Sequence, residues 1–381
     1  MTTTDRSTPA RLTVHGSCAP AFEPLAAVLA RTVAENPDSG AAVCVYHDGE
    51  SVVDLHAGAT YRSDSRQLVF SVAKAVSAVA AHVAARRGEL DLDQPLGEYW
   101  PAFHRPATAA ITGRTVLAHR AGLPAVDYPL TLAQIAEGEL ERALERQEPY
   151  WEPGTAHGYH TITFGTLLDG IFTRTLGVTV GEYARRHLVE PLGLHLSFGV
   201  PAVGGDVLPV LSHGTVAAQL PSTGESSPGL LEEAGFGLLD DPTIFNHPPM
   251  CAVPFPAIGV VARARDLARL LAATCGDVDG TRLLDDAGLD AMRAAHSYGR
   301  DQVSTETSHF GAGVMLPSPR IPFLGPGSFG HDGHGGALAA CLPETTTTFA
   351  FTTDVLPRIG GASTGSLALL ATLRQCLDHL A

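Results

Sequence analysis

An α/β fold with one central sheet, built from both ends of the chain around a large and mostly helical insertion, is the fold class this sequence predicts. Three observations carry it: strand-like segments cluster near the start and again near the end, the stretch between them mixes helical periodicity with Pro/Gly loops, and no internal repeat or independent linker divides the chain. With 381 residues, 45% of them hydrophobic, the chain can bury one large core or two interlocked ones.

The elements follow in order. Residues 1–17 read as a polar N-terminal leader. Phe22, Leu25, Leu29 and Val33 recur at helical spacing, which predicts an amphipathic helix over 20–34. Short strands are expected at 41–46 and 51–55, joined around Asp48-Gly49 as a hairpin. Residues 70–87 are rich in alanine and valine and stop at Gly88, the pattern of a buried helix. Ser71 falls in its first turn, where unpaired N–H groups and the helix dipole favour an anion.

Further helices are expected near 131–147, 162–176 and 179–190, with surface loops at 221–229 and 248–256. Phe245, Asn246, His247, Pro248, Pro249 and Met250 offer material for the wall of a medium-sized apolar pocket. A helix over 258–273 has an apolar face interrupted by Arg263, Arg265 and Arg269. Strands over 309–316, 335–342 and 346–353 and a helix over 363–379 complete the chain. The expected partition is a discontinuous α/β domain, 18–87 with 258–381, and a mostly helical domain, 88–257, that supplies pocket walls.

A formal charge of -15 argues against nonspecific attraction to nucleic acid or to an anionic membrane, so the expected partner is a small molecule. Cys18, Cys44, Cys251, Cys275, Cys341 and Cys376 are scattered without a CxxC pair and read as reduced thiols. Residues 1–17 lack the apolar core of a signal peptide, and no apolar run reaches membrane-spanning length; a cytoplasmic protein is expected. Monomer and homodimer fit the surface composition equally.

Of 25 basic residues only Lys74 is a lysine. An ammonium can lose its proton in a protein and a guanidinium cannot, which makes Lys74 a base candidate. At a separation of three on a helix it shares a face with Ser71 and can approach its hydroxyl. A serine hydroxyl becomes a good nucleophile when a neighbour takes its proton, and burial would keep the amine neutral for that task. Ser-x-x-Lys also fits a helix cap followed by a solvent-facing lysine. The flanking Phe70, Val72, Ala73, Ala75 and Val76 favour the buried alternative.

Two more motifs follow in chain order. Trp151-Glu152-Pro153-Gly154 leads to Gly158-Tyr159-His160-Thr161, and Phe329-Gly330-His331-Asp332-Gly333 stands near the end. Gly88-Glu89-Leu90-Asp91-Leu92-Asp93, Leu117-Ala118-His119-Arg120-Ala121-Gly122-Leu123-Pro124 and Glu190-Pro191-Leu192-Gly193-Leu194 lie between. With Ser71-x-x-Lys74, this text resembles the penicillin-recognising serine hydrolases over roughly 20–378. The closest likeness is to the class C β-lactamase-like branch that includes the family VIII carboxylesterases.

The resemblance implies a β-lactamase/transpeptidase-like fold, with a central antiparallel sheet flanked by helices. It implies that Ser71 attacks the substrate carbonyl, that Lys74 helps accept its proton and that Tyr159 joins the same relay. The oxyanion hole would be the N–H groups of Ser71 and His334, the latter on a strand edge made approachable by Gly333, Gly335 and Gly336. His331 stands where many β-lactamases have lysine and is expected to donate a hydrogen bond to Tyr159 or the substrate, while Asp332 modifies the local field. Trp151 and Gly333 join them as auxiliary residues. No cofactor is implied, and the spacing of His331, Asp332 and His334 supplies no convincing metal shell.

Thr161 departs from the usual Tyr-x-Asn and lacks an amide's paired donor and acceptor, which disfavours a β-lactam or peptide. The expected activity is that of a serine hydrolase cleaving a small-molecule ester, with a lactone or activated thioester as related donors. The alternatives are a transacylase serving an alcohol or amine acceptor, a β-lactamase or peptidase, and an inactive small-molecule binding scaffold.

Overall fold

Six strands from the two ends of the chain meet in one antiparallel sheet. In the computed structural model, which describes residues 13–212, 241–356 and 361–380, the start supplies β1 (Val14–Cys18), β2 (Gly40–His47) and β3 (Glu50–Gly58). The end supplies β4 (Phe329–Asp332), β5 (Leu338–Leu342) and β6 (Thr347–Thr353). Their order is β1-β3-β2-β6-β5-β4, and the two halves join where β2 pairs with β6 from His47↔Thr347 to Ala41↔Thr353.

Because strand side chains alternate, each strand feeds two cores. Val43, Val45, Leu338, Ala340, Phe349 and Phe351 enter the core that holds helices α1 (Pro24–Ala34) and α5 (Thr364–Leu380). Cys44, Tyr46, Phe329, Ala339, Cys341 and Ala350 enter the other, with helices α2 (Val72–Arg86) and α4 (Ala264–Cys275). Every residue of α2 from Val72 to Ala84 is buried, as expected for a helix that is apolar all round. Helix α3 (Thr163–Leu176) and the short helix Val180–Ala184 pack against it.

Four expectations change. β1 arises from the end of the supposed leader and pairs with β3 from Val14↔Ala57 to Cys18↔Val53; as an edge strand with exposed middle residues it carries no hydropathy signal. Residues 258–273 do not form one helix. Val260–Ala262 is a strand between Gln67–Leu68 and Ser197–Phe198, favoured by two adjacent β-branched residues, and α4 starts only at Ala264. Arg263 precedes it, its Nε donating to Asp266 Oδ2 at 2.8 Å. The 309–316 strand shrinks to Thr307–Phe310, in a hairpin with Ser297–Arg300. The 131–147 helix divides at Gly138, which has φ +84°. The loop read at 221–229 lies outside the described residues. Among those residues no helix is long and apolar enough to cross a membrane.

Candidate active site

The chain enters α2 through a strained turn. Val69 N–H donates to Val260 O at 2.9 Å, tying the approach to the small sheet. Phe70 then adopts φ +45°, a left-handed conformation that costs a non-glycine residue about 1 kcal/mol or more. Packing holds it there: its ring centroid lies 5.9 Å from Phe245 and 5.4 Å from His334, edge-on to both. Ser71 follows as the N-cap of α2, with a side chain that makes no capping bond.

Lys74 lies one turn further on and is fully buried. Its Nζ is 3.2 Å from Ser71 Oγ, 2.8 Å from Thr161 O and 3.3 Å from Ala257 O. Burial pushes its pKa well below the usual lysine range, against an opposing pull from Asp332. A neutral amine has two N–H bonds and one lone pair. The carbonyls of Thr161 and Ala257 can take the two N–H bonds, which leaves the lone pair for the Ser71 hydroxyl.

The partly buried Tyr159 completes the group. Its ring centroid is 4.8 Å from Lys74 Nζ, and the Ser71 hydroxyl is near enough to its phenol to pull that group's pKa down. Burial of the hydroxyl raises its pKa above the usual phenol range; Ser71 opposes this and Asp332 adds to it. Burial thus favours the neutral form of both the amine and the phenol.

Residues outside the motifs fix the Tyr159 segment. The fully buried Asp301 accepts from Tyr159 N–H at 3.1 Å and from Val303 and Ser304 N–H at 2.9 Å each, all on Oδ1. Its Oδ2 accepts from Ser308 Oγ at 3.1 Å. His119 Nδ1 accepts from His160 N–H at 3.0 Å, and His160 Nε2 accepts from Leu123 N–H at 3.1 Å. Burial keeps both imidazoles neutral, pushing His160 down to about 4 and His119 well below its usual value. Trp151 braces this segment: its indole N–H donates to Ala156 O at 3.1 Å, and its ring stands edge-on to His160. The one polar group of Trp151 is thus engaged in the loop, which argues against a substrate contact through it.

The third segment comes from the end of β4. His331 shares a face with Phe329 and so points to the α2 side of the sheet, with its ring centroid 6.2 Å from that of Tyr159. Gly333 is required where the hairpin passes the turn that leads into Ser71, since a Cβ there would sit 2.2 Å from Val69 O. His334 lies in the turn between β4 and β5, not on a strand edge as expected, and its ring meets Phe70.

The polarity of His331 also differs from expectation. Its Nδ1 is 2.7 Å from Asp332 O, an atom that only accepts, so Nδ1 carries the proton and Nε2 is a lone pair. Burial holds the imidazole neutral, with its pKa pushed down to about 4 despite the Asp332 charge. Asp332 turns away to a 2.9 Å ion pair with Arg320, and its Oδ2 also accepts from Ala362 N–H at 3.0 Å. The Arg320 charge is a main reason the Asp332 carboxyl stays below its ordinary range against burial, which acts the other way.

The expected apolar pocket is a small cavity of about 20 Å³, room for roughly one water. Phe245, Asn246 and Met250 line it with Leu68, Val207 and Cys251, whereas His247, Pro248 and Pro249 do not. Asp301 sits in polar loop text and Arg320 in a proline-rich loop; nothing local marks either as a site residue, and both reach the site only through the tertiary fold. His119 stands in the sequence only in text that flanks the motifs.

Fold, motif order and relatives together define a class, the serine hydrolases built on the β-lactamase/transpeptidase-like fold. The chain matches the Beta-lactamase family over residues 29–373 and belongs to it. It is 29% identical to the esterase/β-lactamase LipL of Mycobacterium tuberculosis, over 95% of this chain and 88% of that protein. Among solved structures it is similar to EstA from Arthrobacter nitroguajacolicus Rue61a, with a TM-score of 0.85 and 29% identity over 96% of this chain and 99% of that one. A penicillin-binding protein homologue from Caulobacter crescentus gives a TM-score of 0.83 and 29% identity over 96% and 100%. A family VIII carboxylesterase shares the fold at a TM-score of 0.83 and 23% identity, over 96% and 100%.

Proposed function

We propose that this chain is a serine esterase acting on small-molecule esters through an acyl group carried on Ser71. The observation that carries the reading is Lys74, a buried amine 3.2 Å from Ser71 Oγ whose two other near neighbours are carbonyl oxygens. In acylation the Ser71 oxygen bonds to the substrate carbonyl carbon as Lys74 accepts its proton. That proton then passes through the Tyr159 hydroxyl to the leaving alcohol, and the ester C–O bond breaks. Because burial keeps Tyr159 protonated, the phenol relays a proton without becoming a standing phenolate. The N–H groups of Ser71 and His334 are the proposed donors to the oxyanion.

An ester is preferred over a β-lactam or peptide because Thr161 replaces the amide of Tyr-x-Asn, and its buried Oγ1 has no hydrogen-bond partner among the described residues. The name of one relative, an esterase/β-lactamase, includes ester cleavage beside β-lactam cleavage. The cytoplasmic reading rests on six free cysteines, which suit a reducing compartment. The burial of α2 against the sheet and α3 supports a pocket formed by the α/β part and the helical part together.

Intact-mass spectrometry with a fluorophosphonate and a panel of esters, lactones, thioesters and β-lactams tests the reading. A single adduct should appear on the wild type and vanish in Ser71→Ala, while Lys74→Arg should fold but lose at least about 100-fold in kcat/KM because a guanidinium cannot accept the proton. No adduct with any donor would refute the proposal. Since Lys74 acts as the neutral amine, kcat/KM should hold above its depressed pKa and fall as pH drops through it. The acid limb should therefore lie far below the ordinary lysine range.

A further inference from the structure

We propose that His331 Nε2 holds the second hydrogen of the nucleophile that releases the acyl group, so that the acyl-enzyme passes to water or a primary amine in preference to an alcohol. The inference rests on the Ser71 acyl-enzyme reading and decides what the acyl group is passed to.

Four observations support it. His331 is 1% exposed, and among the described residues its Nε2 has no hydrogen-bond partner. The 2.7 Å contact from Nδ1 to Asp332 O fixes the tautomer, leaving Nε2 as an acceptor. The ring lies beside Tyr159, the group that exchanges protons with the leaving and entering molecules. The Asp332 carboxylate does not turn the imidazole into a cation: it is 3.8 Å from Nδ1, beyond hydrogen-bond reach, and Arg320 and Ala362 N–H hold its Oδ2. A buried acceptor left bare is costly, so the site favours a molecule that brings it a donor.

Hydrogen bookkeeping then separates the nucleophiles. In deacylation the attacking atom bonds to the acyl carbon, the bond from that carbon to Ser71 Oγ breaks, and one hydrogen passes through Tyr159 and Lys74 to Ser71 Oγ. Water keeps one hydrogen, the O–H of the product acid. A primary amine keeps one, the N–H of the product amide. Either can donate to Nε2 throughout the step. An alcohol or a secondary amine gives its only hydrogen to Ser71 and leaves Nε2 bare.

The test acylates the enzyme with p-nitrophenyl acetate, counts acylated sites from the p-nitrophenolate burst, and measures how the acetyl group divides between acceptors. Water is set against methanol, and n-propylamine against its isomer N-methylethylamine. Relative to uncatalysed reaction of the same ester, the wild type should favour the primary amine and water by about tenfold. His331→Leu and His331→Phe should bring both ratios to within about twofold of the uncatalysed values, and His331→Gln, which keeps an acceptor, should retain the preference. The ratio is taken within acylated molecules, so a smaller folded fraction lowers the burst and leaves the ratio unchanged. Equal ratios in the wild type and His331→Leu, with the burst intact, would overturn the inference. A wild type without a burst would overturn the acyl-enzyme reading instead.

Discussion

Asp301 holds Tyr159 by its backbone N–H, yet the two residues are 142 positions apart. In the sequence it is one acid in a Gly-Arg-Asp-Gln loop, and nothing local separates it from a solvated turn residue. Ser71 and Lys74 are legible for the opposite reason: both lie on one helix at a spacing that forces them together, and the lysine has no other copy. His331 is intermediate. Its place in a motif is readable, but its role as acceptor follows from a backbone oxygen that only the folded hairpin brings to Nδ1. Asp301→Ala removes the acceptor for three backbone N–H groups, and a misplaced Tyr159 should lower the acylation rate by about 10- to 100-fold with KM little changed. Asp301→Asn keeps an oxygen in the Oδ1 position and should restore most of that rate. Stopped-flow burst rates beside melting temperatures separate the cases. If both variants lose activity only in proportion to folded protein, Asp301 supports the fold and does not position Tyr159.

At the scale of elements, periodicity decides what can be read. The α1 stripe, the β2–β3 hairpin, the alanine-rich α2 and the terminal α5 each bury a regular face, so their patterns survive in the sequence. β4 has no such pattern. Phe-Gly-His-Asp is short, contains a glycine and carries two polar residues, and it becomes a strand because β5 pairs with it from Phe329↔Cys341 to Asp332↔Leu338. Val260–Ala262 reads as part of a helix because an apolar run does not distinguish a buried strand from a helix start. β4 nevertheless sets the third wall of the candidate site, and Gly333 is where it passes the turn that leads into Ser71. Gly333→Ala would place a methyl carbon against Val69 O, two residues before Ser71. The hairpin must then shift, carrying His331 and His334 with it. The expected result is a loss of about 100-fold or more in the fluorophosphonate labelling rate, with far-UV circular dichroism unchanged. Labelling at the wild-type rate would mean that the β4–β5 hairpin does not set the geometry at Ser71.

For the whole molecule, two electrostatic effects predict opposite responses to acid. The formal charge of -15 means that lowering the pH relieves self-repulsion, which would stabilise the compact state. Buried histidines act the other way. Burial pushes His82, His160 and His331 down to about 4 and His119 well below its usual value. Unfolding returns each to about 6.5, so near pH 5 the unfolded chain binds roughly four more protons at these positions. Asp169 partly offsets this: burial raises its carboxyl to about 6, so the folded state binds the extra proton there. Across these five groups the uptake on unfolding is then about three protons, a slope near 4 kcal/mol per pH unit, and Lys74, whose pKa burial also lowers, acts with the same sign. By sign, histidine-linked stability is complete above about pH 6.5 and is lost as pH falls toward 4, whereas the Asp169 contribution is lost as pH rises from about 4 to 6. Screened surface repulsion between well-separated charges is weaker than this, so the buried imidazoles should win. The melting temperature should fall steadily from pH 7 to pH 5 although the net charge moves toward zero. Calorimetry at pH 5 in two buffers of different ionisation enthalpy should show the proton uptake directly. His82→Gln should shallow the slope by about one proton without touching the Ser71 site, because His82 faces Ala312 O at 3.0 Å. A melting temperature that rises on acidification would show that charge repulsion governs this fold and that these imidazoles are not held neutral by burial.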